Sequence, residues 1–220
     1  FGYCKVSLEE VKQILGVGIT AALTNLMQSL TVIVLNQFLL SYGSDRIAAM
    51  GIVLKINMIV QLVMIGFAFG AVPLFGYLYG AKLHDELKKL IRFCMSFLIA
   101  IALVLTIVLC VKSAFFMKIF VQDSEMITLG SQMLRWQAIS SVFVGIVLLC
   151  TVLFQATGKI IPSFLLSISR QGVVFLVMLL IFSALFGYNG ILMPQAIADV
   201  LSAVLALVLL YRIKLISSIA

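Results

Sequence analysis

Charge is scarce in this chain of 220 residues: Asp, Glu, Lys and Arg together make up 10% of it, and only 8 side chains are acidic. There is 1 histidine, and it stands among charges in the run KLHDELKK, where His84 reads as a solvated side chain rather than a metal ligand. The 4 cysteines, Cys4, Cys94, Cys110 and Cys150, have no spacing of a zinc site or redox dithiol. Three of them fall within or beside apolar runs, where cysteine serves as a small apolar residue. No G-x-S-x-G, no phosphate-binding glycine loop and no cluster of His, Cys and Glu is present. Nothing therefore points to an enzyme, and no metal or organic cofactor is expected.

What fills the space is hydrocarbon. Apolar residues make up 64% of the chain, and the mean hydropathy is +1.26, more than a soluble domain of this length can hide. A bilayer is the fitting solvent. Apolar runs of the length that a hydrocarbon core about 30 Å thick demands occur at residues 17–40, 47–79, 91–111, 134–155, 162–186 and 190–211. They are continuous rather than alternating, which selects helices over membrane strands. The expected fold is an all-α membrane protein, a six-transmembrane-helix bundle occupying residues 1–220 as one domain. Residues 1–16 read as a polar, amphipathic lead-in with no cleavable signal, and without an initiator methionine the chain reads as a fragment.

The net charge of +7 does not imply nucleic acid, because the basic residues are scattered over helix ends without an aromatic or glycine-rich binding motif. Their distribution between alternate connections is the useful signal. Lys5, Lys12, Lys82, Lys88, Lys89, Arg92, Lys159, Arg170, Arg212 and Lys214 lie on the side of the termini; Arg46, Lys112, Lys118 and Arg135 lie on the other. Ten against four places both termini in the cytoplasm.

Turn chemistry marks the joints at Tyr42-Gly43-Ser44-Asp45, Thr157-Gly158-Lys159 and Gly187-Tyr188-Asn189-Gly190. Connections this short make consecutive helices antiparallel neighbours. In the longest connection, 112–133, Asp123 or Ser124 is placed to cap a short helix leading into the fourth span.

The run GFAFGAVPLFGYLYGAKLHDELKK, 66–89, puts Gly66, Gly70, Pro73, Gly76 and Gly80 on one third of a helix surface. Two readings stand. Such a stripe permits close packing of a second backbone through its small-xxx-small pairs, or it supplies a hinge or sliding surface loosened by Pro73, whose missing N–H removes a ladder bond. At about 1.5 Å per residue a helix over 47–79 would be about 50 Å long, so it must tilt, bend or protrude.

Polar residues inside the spans form faces. Asn25, Gln28, Ser29 and Asn36 share a stripe on the first span; Asn57 and Gln61 are one turn apart on the second; Gln137, Ser141, Thr151 and Gln155 cluster on the fourth. Any one of these can be interhelical glue worth about 0.6–2 kcal/mol. Three amide-bearing faces together imply a shared polar cavity. Charge within the spans is limited to Lys55, Arg170 and Asp199. Arg170 is near enough to its helix start to snorkel to the surface. Lys55 and Asp199 lie at matching depth and could form an ion pair; the rival reading makes Asp199 a relay for a proton or cation.

GIVLKINMIV (51–60) followed by GFAFGAVPLFGYLYGAKLHDELKK, then LFQATGK (153–159), SISRQG (167–172) and GYNGILMPQAIADV (187–200), resembles in order the C-terminal half of the multidrug and toxic compound extrusion (MATE) transporters. The resemblance implies one six-helix lobe of a twelve-helix protein in a prokaryotic cytoplasmic membrane. The lobes rock about a central cavity to exchange H⁺ or Na⁺ for organic, often cationic compounds. The partners it implies are the bilayer, small organic substrates, and the N-terminal lobe or a second half-sized chain. The cavity-lining helices would be the first, second and fourth, those bearing Asn25, Gln28, Asn36, Asn57, Gln61, Gln137 and Gln155. Phe69 and Leu78 stand where relatives often have glutamine and asparagine. Acidic cation ligands of some relatives are missing from the first and fourth spans, so the coupling ion is expected to bind in the other half. A lipid or polysaccharide-precursor flippase of the same superfamily, and a non-transporting membrane subunit, are the alternatives.

Overall fold

The computed structural model describes residues 7–212; Cys4, Lys5 and Lys214 lie outside them. Nine α-helices occur among the described residues: α1 (Leu8–Leu40), α2 (Ser44–Gly70), α3 (Val72–Gly80), α4 (His84–Val111), α5 (Ser113–Lys118), α6 (Ser124–Ala156), α7 (Ile160–Ile168), α8 (Val174–Leu192) and α9 (Pro194–Arg212), with a π-helical turn, Ser169–Val173, between α7 and α8. Within the described residues they make 6 spans long and apolar enough to cross a membrane, with α2 continuing into α3 and α7 through the π turn into α8. The six-helix, all-α membrane architecture expected from the apolar runs is thus present.

Helix α6 is the axis of the bundle. In its most apolar stretch 67% of residues are buried, against 6% for that of α1. It packs on α2, α4, α5, α7 and α9, and small residues make those approaches possible. Gly145 is the clearest case: a Cβ there would stand 2.9 Å from the Met64 Cε and 3.8 Å from the Leu98 Cβ, so α2 and α4 close on α6 where it has no side chain. Phe75, Met64, Leu98, Leu134, Phe154 and Phe175 fill the space between helices. The outer surface carries Ile33, Ile59, Val104, Ile107 and Leu185 well exposed, a patchwork that water would penalise and lipid tails accept.

Three joints add detail to the sequence reading. The long second span is broken at Ala71, two residues before Pro73, where the Ala71 N–H bonds the Ala68 carbonyl at 3.2 Å and α3 starts afresh. Helix α6 runs unbroken from Ser124, so no separate short helix precedes the fourth span; the short helix is α5, on the other side of the loop. Asp123 is the cap, its Oδ1 accepting from the Glu125 N–H at 2.8 Å. Between the last two spans the backbone leaves helical geometry at Gly187 (φ 55°, ψ −129°), and Pro194 opens α9.

Candidate functional site

The amide faces of α2 and α6 meet. Asn57 is buried on α2, and its Nδ2 donates to the Gln137 Oε1 on α6 at 3.3 Å, while the Ser141 hydroxyl donates to the Asn57 Oδ1 at 3.5 Å. Beside this pair lies a cavity of about 60 Å³, walled by Gln28, Thr31, Val32 and Leu35 from α1, Leu54, Asn57 and Gln61 from α2, Gln137 from α6, Arg170 and Gln171 from the π turn and Gln195 from α9. It would hold roughly two waters, far less than the ~300 Å³ or more that organic ligands occupy. In this conformation the lobe supplies a polar wall, not a whole chamber.

Four of the seven amides read from the sequence line this cavity: Gln28, Asn57, Gln61 and Gln137. Asn25 is exposed on α1, its carbonyl taking the Ser29 hydroxyl at 3.1 Å. Asn36 and Gln155 are half-buried away from the cavity. Thr151 lines an adjoining cavity of about 80 Å³ shared with Thr24, Ser167, Arg170 and Gln171. Of the glycine stripe, a Cβ added at Gly76 would stand 3.7 Å from the Ala156 carbonyl oxygen, while one at Gly66, Gly70 or Gly80 would meet nothing within 4 Å among the described residues.

The charges are arranged otherwise than their depth suggested. Asp199 pairs with Arg170, whose Nε donates to Oδ1 at 2.9 Å; the Gln195 Nε2 donates to the same carboxylate at 3.4–3.5 Å. The expected Lys55–Asp199 pair is not formed. Lys55 is exposed, because it sits about 200° around the helix from the buried Val53 and Asn57, so equal depth does not bring it inward. Arg170 does not snorkel either; with 12% of its side chain exposed it is held by the fully buried Asp199.

The π turn is what delivers Arg170 and Gln171. Its widened ring displaces the carbonyl ladder, and the Thr31 hydroxyl of α1 takes up the Gln171 carbonyl at 2.5 Å. Gly172 lies buried under Met27, whose Sδ would be 3.3 Å from a Cβ. Thr31, Gln171 and Gln195 were missed by a search for amide stripes on three helices. Thr31 follows Gln28 by three residues, and Gln195 precedes Asp199 by four, spacings that put each pair on one face. No sequence spacing announces the π turn.

At one end of the bundle, the guanidinium of Arg46 at the start of α2 lies over the Tyr188 ring, 4.1 Å from its centroid, and over the Tyr42 ring at 5.6 Å. This cluster ties the turn after α1 and the start of α2 to α8 beside the Gly187 kink.

Six spans packed about α6, five of which contribute side chains to one small cavity bordered by amides, define a multipass membrane protein. A family model described as MatE matches residues 20–181, and the chain belongs to that family. It is 28% identical over 212 residues to the multidrug export protein MepA of Staphylococcus saprophyticus, covering 96% of this chain and 47% of that protein. To MepA of Staphylococcus aureus (strain MSSA476) it is 29% identical over 210 residues, 96% of this chain and 46% of that one. The chain thus spans about half the length of the curated relatives it matches. Its fold is that of a MATE crystal structure in the bent conformation, with TM-score 0.88 and 20% identity over 97% of this chain and 47% of that one. The Vibrio cholerae MATE transporter VcmN in the bent form gives TM-score 0.85 and 21% identity over 94% and 47%.

Proposed function

We propose that this chain forms one lobe of a secondary transporter that exports organic, drug-like compounds across a bacterial cell membrane by alternating access. The cavity carries the reading: uncharged amides, one guanidinium and apolar side chains from α1, α2, α6, the π turn and α9 converge on one place inside the bundle. Such a surface binds amphipathic solutes through a few hydrogen bonds and much apolar contact. MepA, similar over nearly the whole chain, is named a multidrug export protein. Because the cavity is small and α1 is largely uncovered, a second lobe, from the same polypeptide or another copy, closes the chamber in this reading. The excess of Lys and Arg on the side of the termini favours cytoplasmic ends.

The driving force is inward flow of H⁺ or Na⁺. Asp199 is bonded to two side chains of the cavity wall, Arg170 and Gln195, and is thereby engaged, so in this reading the coupling ion binds in the other lobe. The test is dye flux in inside-out vesicles carrying the protein as encoded, under an imposed pH or Na⁺ gradient. Gradient-dependent accumulation of a lipophilic fluorescent cation or zwitterion above that of empty vesicles supports the reading; no acceleration under either gradient refutes it.

A further inference from the structure

The ion pair beside the cavity is turned one way. Asp199 is wholly buried and takes no part in the cavity wall, whereas Arg170 lines both this cavity and the adjoining one. The pair is neutral as a whole, but a solute in the cavity meets the cation. Neither cavity wall contains an Asp or Glu. A cationic group brought there would give up hydration and face a guanidinium; a carboxylate would face a planar donor suited to receive it. A second observation points the same way. The Gln171 Oε1 is buried and accepts no hydrogen bond, and Gln171 borders the same two cavities as its neighbour Arg170. A buried acceptor left open beside a buried donor asks for a ligand that carries both complements.

We infer that Arg170 and Gln171 form a binding subsite for the charged end of an amphipathic zwitterion, the guanidinium donating to its carboxylate and the Gln171 Oε1 accepting from its ammonium or amide N–H. This deepens the transport reading and rests on it, by assigning the lobe substrates with a carboxylate rather than simple cations. The cavity of about 60 Å³ has room for no more than such a polar end, so the apolar body of the ligand lies outside it. Binding needs no bond made or broken.

The experiment compares Nε-dansyl-lysine with its methyl ester, in mildly acidic buffer where both keep the α-ammonium and differ in the carboxylate, by fluorescence titration of the protein as encoded in lipid nanodiscs. The acid is expected to bind about tenfold more tightly than the ester, the increment of one charge-assisted hydrogen bond. Arg170→Gln alone strands the Asp199 carboxylate, so the informative variant is Arg170→Gln with Asp199→Asn, in which the acid-to-ester ratio falls to about one. Arg170→Lys keeps the pair but loses the planar fork, and its ratio falls between the two. Equal binding of acid and ester to the unmodified protein, binding of neither, or an unchanged ratio in the variants overturns the inference. The titration is independent of flux: preference for the acid without gradient-driven dye movement would refute the transport reading and leave the subsite standing.

Discussion

Arg170 and Asp199 face each other across the junction of the π turn and α9, Nε to Oδ1 at 2.9 Å, with the carboxylate fully buried. Removing either partner leaves an uncompensated charge inside the bundle, which costs about 3–5 kcal/mol, while removing both leaves amides that can share hydrogen bonds. Arg170→Gln and Asp199→Asn should each lower the melting midpoint of the purified protein strongly, and the double variant should regain much of the loss. Additive losses would show that the pair does not act as a unit. Lys55→Met, at an exposed position, should change stability by no more than about 0.5 kcal/mol.

The Asn57–Gln137 amide pair is the seam between α2 and α6. Either change to leucine leaves one buried amide short of a partner at about 1–2 kcal/mol, whereas the double change should cost less than the two single losses combined. Chemical unfolding of the four proteins in one detergent measures the coupling. A coupling near zero would mean that water already satisfies both amides.

Much of the fold was legible because a bilayer leaves the backbone few options: the apolar runs had to be helices, and turn residues set their ends. Amide periodicity singled out Gln28, Asn57, Gln61 and Gln137, which border one cavity because side chains on one helix face share their environment. Asn25, Asn36 and Gln155 stand outside that wall because a stripe of amides is wider than the cavity it borders: Asn25 reaches open surface, and the other two are half-buried elsewhere. The Arg170–Asp199 pair was missed for two reasons. Depth along a helix says nothing of rotation about it, which disposes of Lys55, and the π turn that rotates Arg170 inward has no compositional mark.

Gly190 is packed so closely that a Cβ would run into the Phe182 carbonyl. Gly190→Ala should force the Gly187 kink apart and lower membrane yield and melting midpoint severely. Gly18→Ala, where a Cβ meets nothing within 4 Å, is the control and should leave both unchanged or slightly raised. Equal behaviour of the two variants would mean the last turn of α8 is not rigidly held.

The Arg46 guanidinium over Tyr188, 4.1 Å from the ring centroid, fastens the end of α8 to the start of α2. Arg46→Gln should loosen that end by about 0.5–2 kcal/mol. Hydrogen exchange at residues 187–193 reads it: faster exchange is expected there, with α4 unaffected. Unchanged exchange would show that the ring contact carries no load.

The most direct test of the whole account is cysteine accessibility in the intact membrane, with the native cysteines replaced by alanine. Single cysteines at Gln28, Gln61 and Gln195, all in the cavity wall, should react with a membrane-impermeant thiol reagent applied from at least one side, while cysteines at Ile33 and Val104, exposed on the apolar surface, should not. Reaction at none of the three cavity positions from either side would contradict a water-accessible polar site, and with it the transport reading.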